Sequence, residues 1–237
     1  MSIKENLGLR NAMLSAISWF FSQVEYGLIL EEDVVLHPQA FSLVLDALKE
    51  FQHDHSIGAV SLHNNLSPRF LSGDFDLYLS HIVFLWGWAT WRSRWAVTSK
   101  GIDKPYERLL RCYTPSKIGW LGFMFFLRFL LNKAKNSWDG DVQLNYLEMD
   151  YRTIHFRKNL ALNIGFDDRA THTKLPIFQR PIEADNIESL EEMSRNMSPD
   201  RYVEKKLIEQ VFGLIGTRIK FQYVKWFVKN WHTFHKN

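Results

Sequence analysis

The feature that most constrains this chain is a short apolar segment that leads directly into three acids. Leu28, Ile29 and Leu30 are followed without a break by Glu31, Glu32 and Asp33. An apolar run of this length predicts a buried strand, and open α/β sheets bind their ligands at the carboxyl ends of such strands. Carboxylate oxygens gathered at one point suit Mg²⁺ or Mn²⁺, which complete their coordination with water and substrate phosphates. The junction predicts a metal and diphosphate site; a solvated acidic turn is the alternative.

Composition favours a folded chain and gives no support to a nucleic-acid partner. Of the 237 residues, 46% are hydrophobic and 15% aromatic, enough for one large core or two small ones. The net charge of +3 is too small to indicate nucleic-acid binding. Residues 218–237 carry five basic side chains and no acid, which leaves the rest of the chain mildly acidic.

Cysteine usage and the apolar segments indicate the compartment. Cys112 is the only cysteine, which excludes an internal disulfide and a thiolate metal site and suits a reducing, cytoplasmic location. The N-terminus lacks the apolar core and cleavage site of a signal peptide. The longest apolar stretch, residues 118–131, is interrupted by Arg128 and is shorter than the roughly 20 residues that span a bilayer. It predicts a core or interfacial helix.

Apolar periodicity predicts alternating helices and strands in the first part of the chain. A first helix is expected to bury one face, made by Leu9, Ala12, Met13, Ala16, Ile17 and Phe20. A strand over 28–31 follows. A second helix begins near His37-Pro38 and has an inner face made by Phe41, Val44, Leu45, Leu48 and Phe51. Residues 57–62 predict another strand. This alternation predicts an α/β fold with a parallel sheet and helical crossovers.

The rest of the chain has weaker signals. Strands are predicted at 77–85 and 160–164, and helices at 141–149, 187–196 and 199–212. A nucleotide-binding α/β domain normally begins with a strand whose following loop holds the base and ribose, whereas this chain opens on a helix. Either the first strands of the domain are missing, or the nucleotide interpretation is wrong.

Five segments resemble one enzyme family in their order along the chain. They comprise Asn6–Gly8 with Ala16–Phe21, Gly27–Asp33, Trp86–Arg92, Ser137–Asp139, and Asn159–Phe166 with Ala170–Thr173. Together they resemble glycosyltransferases of the GT-A fold, of the family 2-like kind, and are similar to the inverting N-acetylglucosaminyltransferase I group. The resemblance implies a GT-A-like, Rossmann-like mixed sheet flanked by helices, over residues 1–183, with its N-terminal part missing. Residues 184–237 are then a helical C-terminal extension.

The resemblance assigns roles to the acids. The family's motif is typically Glu-Asp-Asp, and Glu31, Glu32 and Asp33 occupy its three places. Asp33 would hold the divalent cofactor, Mn²⁺ or Mg²⁺, and Glu31 and Glu32 would contact the sugar-nucleotide donor. The side chain of Glu32 is one methylene longer than the usual aspartate, which puts the geometry of that donor contact in doubt.

Two aspartates are candidates for the general base. Inverting transfer needs a carboxylate that takes the proton of the acceptor hydroxyl. The resemblance places Asp139, after Trp138, in the family's base segment, and Asp141 is a substitute two residues further on. The alternative is that Asp139 caps the following helix.

The segment Trp86-Gly87-Trp88 is predicted to contact a sugar. Indole rings offer flat faces to sugar C–H groups, and their N–H groups donate hydrogen bonds. Gly87 would allow close approach of the backbone, and Trp91 is expected to be partly structural. Core packing is the alternative for all three tryptophans. His63, Asn64 and Asn65 follow a predicted strand, and this position gives a weak indication that they face a cleft.

A late loop is predicted to complete the metal site. In related enzymes a histidine in this region completes the metal shell or contacts the diphosphate, and His172 stands at that place. A hydrogen-bonded surface histidine is the alternative. Asn163 and Gly165 are expected to shape the same loop.

The sequence as a whole predicts a metal-dependent glycosyltransferase. It would move a sugar from a nucleotide-diphosphate donor to a hydroxyl of a glycan or lipid-linked acceptor, and inversion is implied by the resemblance alone. The basic, aromatic segment 218–237 predicts peripheral membrane contact, or else a C-terminal helix docked on the body. Two other functions remain open: a truncated, non-catalytic remnant and a membrane-surface binding protein.

Overall fold

A computed structural model gives the fold. It describes residues 6–67, 70–71, 75–100, 108, 138–165, 181–182, 187, 189–194, 197–198, 203 and 206. The predicted helix within 118–131, the tail 218–237, His172 and most of the predicted helix 199–212 lie outside these residues.

The described part of the chain is a mixed α/β structure. Its helices are α1 (Gly8–Gln23), α2 (Ala40–Glu50), α3 (Arg92–Thr98), α4 (Trp138–Glu148) and α5 (Leu190–Ser194). Its strands are β1 (Tyr26–Ile29), β2 (Val34–Leu36), β3 (Ile57–Ser61), β4 (Leu77–Ser80), β5 (Trp88–Trp91), β6 (Arg152–Phe156), β7 (Ala161–Asn163) and β8 (Met197–Ser198). Six strands form one sheet in the order β1-β5-β3-β6-β4-β8, and β2 pairs with β7 in a separate sheet. The predicted α/β class, with a mixed sheet flanked by helices, is confirmed.

The sheet is mixed, so the parallel sheet expected from the alternation of helices and strands is present only in part. β5 lies between β1 and β3 and runs antiparallel to both, with Ala89 opposite Leu28 on one side and Val60 on the other. All four residues of β5 are buried, so this strand occupies an interior position in the sheet. β3 and β6 form the parallel pair at the centre. β1, which was predicted from its apolar run to be interior, lies at one edge of the described sheet.

The two faces of the sheet carry separate cores. Because side chains alternate along a strand, Ala59 and Val60 of β3 face opposite sides. One core contains buried residues of α2 and α5, including Val44, Leu48, Leu190 and Met193. The other contains buried residues of α1, α3 and α4, including Ile17, Phe21, Trp95, Trp138 and Tyr146. The sheet is therefore covered by helices on both faces.

The helix faces differ from those expected. Phe41 of α2 is 59% exposed, whereas Ala40, Leu43 and Ala47 are buried. Small alanines let the helix backbone lie close to the sheet, and this turns Phe41 outwards. In α1 only Ile17 and Phe21 are buried, and Leu9 lies largely in solvent.

The observed strands agree only in part with the predicted ones. β3 matches its prediction to within one residue, whereas β4 ends at Ser80 rather than at residue 85. β2, β5, β6 and β8 were not predicted as strands. β6 lies at the centre of the sheet with four buried residues, but its sequence, Arg-Thr-Ile-His-Phe, alternates polar and apolar residues after Arg152, a pattern typical of a half-buried strand. In the part of the chain that the structure describes, no helix is both long enough and apolar enough to cross a membrane.

Candidate functional site

The three acids lie in a turn between the two sheets. β1 ends at Ile29, and the turn closes with a hydrogen bond from the backbone N–H of Val34 to the carbonyl of Glu31, at 3.2 Å. β2 then begins and pairs with β7. Glu32 is exposed, and Glu31 and Asp33 are half-buried. The acids therefore stand just beyond the carboxyl end of a strand, as the sequence predicts.

Asp33 is held by the end of β7. Its carbonyl accepts a hydrogen bond from the N–H of Ile164 at 2.8 Å, and its Oδ1 accepts one from Asn163 Nδ2 at 3.1 Å. Its other oxygen, Oδ2, lies against Gly165, where an added Cβ would stand only 2.0 Å away. Asn163 Oδ1 in turn accepts the N–H of Gly165 at 2.8 Å. Asn163 and Gly165 therefore hold the Asp33 carboxylate in place. The loop that they were predicted to shape, 165–174, lies outside the described residues beyond Gly165.

The residues present fit one part of a divalent-metal site. No group of three or more histidine, cysteine or acidic side chains arranged to hold a metal occurs among the described residues, and His172 lies outside them. Mg²⁺ and Mn²⁺ are often held by one or two carboxylates, with water and substrate phosphates supplying the other ligands. The Asp33 carboxylate, seated where a side chain at position 165 would block it, suits that mode.

Gly87 connects the aromatic segment to the acidic turn. Its φ of +73° is a left-handed conformation that favours glycine. A Cβ at this position would lie 3.1 Å from the Ala161 side chain and within 3.6 Å of Leu36 and Leu30. The contacts that require a glycine here are thus made with the protein itself. They place the segment beside the residue that precedes the acids.

The three tryptophans of this segment have different environments. Trp86 is half-exposed, and its ring centroid lies 4.9 Å from that of His63. Trp91 is buried, and its Nε1 donates to the carbonyl of Leu48 at 2.9 Å, as expected for a structural residue. Trp88 is fully buried between Trp95 and Trp138, at centroid distances of 6.1 and 6.4 Å. The predicted sugar contact fits the placement of Trp86; for Trp88 it stays a prediction that this placement does not support.

The candidate bases lie in the first turn of α4. Its Trp138 packs on Trp88, the residue opposite Ile29 at the end of β1, and half-buried Asp139 follows Trp138. Asp139 Oδ1 accepts the N–H of the next residue, Gly140, at 3.0 Å. A capping side chain precedes the helix and accepts an N–H two or three residues further on, whereas Asp139 lies within the first turn, so this contact does not have the geometry of a cap.

Asp141 is engaged by a cation from α1. Arg10 Nε donates to its Oδ2 at 2.7 Å, and the same guanidinium forms an ion pair with it. Burial raises the pKa of Asp141 above its ordinary value, and Arg10 opposes that shift. This carboxylate is thus engaged in an ion pair that links α4 to α1.

The segment after β3 is more deeply buried than a cleft would require. Asn64 is a structural hub, because its backbone N–H donates to Asn159 Oδ1 and its amide donates to the carbonyls of Phe156 and Arg157. His63 is also buried, with Nδ1 2.9 Å from the carbonyl of Ala161. Burial lowers the pKa of His63 to about 4. These hydrogen bonds of His63 and Asn64 are made with the protein interior.

Two contacts at these carboxylates had no signal in the sequence. Arg10 reaches Asp141 across 131 positions, and Asn163 reaches Asp33 across 130. Both contacts depend on the tertiary fold; Arg10 stands in no predicted motif, and Asn163 was expected only to shape a loop. Comparison with protein-family models and with curated proteins returned no match for this chain.

Proposed function

We propose that this chain is a metal-dependent glycosyltransferase domain of the GT-A type. It would transfer a sugar from a nucleotide-diphosphate donor to a hydroxyl of a glycan or lipid-linked acceptor, with inversion at the anomeric carbon. The observation that carries the proposal is the Asp33 carboxylate, fixed by Asn163 over Gly165 at the end of β1. Half-buried Trp86 precedes Gly87, which lies against Leu30 at the start of the acidic turn. The first turn of α4 packs through Trp138 on Trp88 of the same segment.

The acidic turn would bind the donor. Mn²⁺ or Mg²⁺, when bound, would neutralise charge on the departing diphosphate. Asp33 offers its oxygen to the cation, and Glu31 and Glu32 stand in the same turn, where they would contact the ribose or sugar. His172 is proposed as a further ligand from the resemblance alone.

Asp139 is proposed as the general base. Its carboxylate would take the proton of the acceptor hydroxyl while the acceptor oxygen forms a bond to the anomeric carbon. The bond from that carbon to the diphosphate oxygen breaks, and its electron pair leaves with the diphosphate. Asp141 is less suited to this role because Arg10 already occupies it.

The half-exposed ring of Trp86 is proposed to contact the acceptor or the donor sugar. Its edge packs on a buried imidazole, His63, which fixes the ring's orientation. A fixed indole face loses little conformational entropy when a sugar packs on it.

The deciding experiment measures donor binding and hydrolysis with and without Asp33. Calorimetry with Mn²⁺ and a panel of nucleotide sugars is expected to reveal a donor that the Asp33→Ala variant no longer binds. Asp46→Ala is the matched control, because Asp46 lies exposed on α2, away from the acidic turn. Metal-dependent donor binding that survives in Asp33→Ala would contradict the proposal. Failure of every donor to bind the unmodified chain would favour a non-catalytic binding module.

A further inference from the structure

Asn163 controls how the Asp33 carboxylate is presented. It lies at the end of β7, opposite Val34 in the register with β2, and is only 5% exposed. Both ends of its amide are assigned by their partners, since Nδ2 donates to Asp33 Oδ1 and Oδ1 accepts from the N–H of Gly165. A flipped amide would place two acceptors face to face at Asp33 and two donors face to face at Gly165. The hydrogen bonds to Asp33 and Gly165 therefore fix the orientation of the Asn163 amide.

The two oxygens of Asp33 have different surroundings. Oδ1 accepts the amide of Asn163, whereas Oδ2 receives no hydrogen bond from the residues that the structure describes. Oδ2 lies over Gly165, at a point that any larger residue would fill. One oxygen thus accepts a hydrogen bond from Asn163, and the other accepts none from the described residues.

We propose that Asn163 is a positioning residue that sets both the affinity and the selectivity of Asp33 for divalent cations. The inference rests on the proposed role of Asp33 as a metal ligand. By holding Oδ1, Asn163 favours coordination through Oδ2 alone. Single-oxygen coordination suits the octahedral shells of Mg²⁺ and Mn²⁺, whereas Ca²⁺ takes six to eight oxygens and often binds carboxylates through both. Asn163 therefore favours the smaller ions over Ca²⁺.

Removal of the amide tests the positioning role. Asn163→Ala is expected to weaken Mn²⁺ binding by about 10- to 100-fold, as is typical when a partner that orients a ligand is lost. Ca²⁺ binding is expected to weaken less, because the released carboxylate can turn both oxygens to the ion. The ratio of Ca²⁺ to Mn²⁺ dissociation constants, measured by calorimetry with each metal alone, should therefore fall.

A second variant keeps the test decisive if the alanine variant is unstable. Asn163→Asp has nearly the same shape and still accepts the N–H of Gly165, but it cannot donate to Asp33 and it adds a negative charge beside it. The selectivity for Mn²⁺ over Ca²⁺ is expected to fall here too, while the affinity for both ions rises because a cation relieves the repulsion between the two carboxylates.

The control separates a positioning role from a purely structural one. Asn159 is a buried asparagine whose Oδ1 accepts the backbone N–H of Asn64. Asn159→Ala is expected to lower the free energy of unfolding in urea without changing the ratio of the two dissociation constants. A ratio that is unchanged in both Asn163 variants would overturn the positioning proposal, provided that Asp33→Ala abolishes Mn²⁺ binding. If Asp33→Ala also leaves Mn²⁺ binding intact, the proposed function itself fails.

Discussion

At the scale of single residues, Gly87 and Gly8 share a left-handed backbone but differ in their surroundings. Their φ angles are +73° and +70°, a conformation that costs an L-residue about 1–2 kcal/mol. A Cβ at Gly87 would meet the Ala161 side chain at 3.1 Å, whereas nothing lies within 4 Å of one at Gly8. We expect Gly8→Ala to lower the free energy of unfolding by no more than the backbone cost. Gly87→Ala should lower it by about 1 kcal/mol more, because the contact is overpacked. Urea unfolding of both variants measures the difference, and equal losses would contradict the prediction.

Single residues also show where prediction from sequence ends. Asp33 was found because an acid directly after an apolar strand is a local pattern. Asn163 was expected to shape a loop and was not connected with the Asp33 carboxylate, because that partner lies 130 positions away. Trp88 was predicted to contact a sugar from its place in an aromatic motif, and its full burial depends on packing against Trp138. Local patterns identify the candidate site residues. Contacts between residues far apart in the sequence determine the burial and the hydrogen-bond partners of those residues.

At the scale of elements, the contact between α1 and α4 depends on Arg10 and Asp141. Burial raises the pKa of Asp141 even with the guanidinium beside it. Replacement of Arg10 by methionine keeps the aliphatic contact but leaves a buried carboxylate without its cation, so the pKa should rise further. We expect Arg10→Met to destabilise the fold at pH 7, because the ionised form of Asp141 loses the cation that stabilises it.

The sign of the pH dependence follows from the direction of that shift. A carboxyl group whose pKa is higher in the folded state than in the unfolded state favours folding when protonated, and this stability is lost as the pH rises through the folded-state pKa. The loss in Arg10→Met should therefore be smaller at pH 4 than at pH 7, as measured by urea unfolding at both values. The same loss at both values would mean that the guanidinium acts through packing alone.

Helices and strands were predictable where the segment's own sequence has a clear apolar pattern. α2 was located by the helical period of its apolar residues, and β3 by a short continuous apolar run. β2 and β6 were missed because β2 has only three residues and β6 carries Arg152, Thr153 and His155 in a central strand. The position of β5 between β1 and β3 could not be predicted either, since strand order depends on contacts far apart in the sequence.

At the scale of the whole molecule, two buried histidines connect the centre of the sheet to the region of the site. His63 follows β3, and its Nδ1–H donates to the carbonyl of Ala161. His155 lies in β6, stacks on Tyr78 with a centroid distance of 4.8 Å, and donates from Nε2 to the carbonyl of Ile82. Burial lowers the pKa of each imidazole from 6.5 to about 4. When His63 is protonated, its charge lowers the pKa of His155 as well. Both rings are therefore neutral in the folded protein at pH 7.

These histidines are expected to make the fold sensitive to mild acid. Since the unfolded chain binds protons at these groups below pH 6.5 and the folded chain does not until about pH 4, stability falls as the pH drops through that window. The full shift corresponds to about 3 kcal/mol per histidine. Urea unfolding between pH 7.5 and 5 should show this decline, and His155→Phe should make it shallower even though the lost hydrogen bond lowers stability at pH 7.5. His53→Gln is the matched control, because His53 is exposed and its loss should leave the slope unchanged. A slope in His155→Phe equal to that of the unmodified chain would show that the acid sensitivity arises elsewhere.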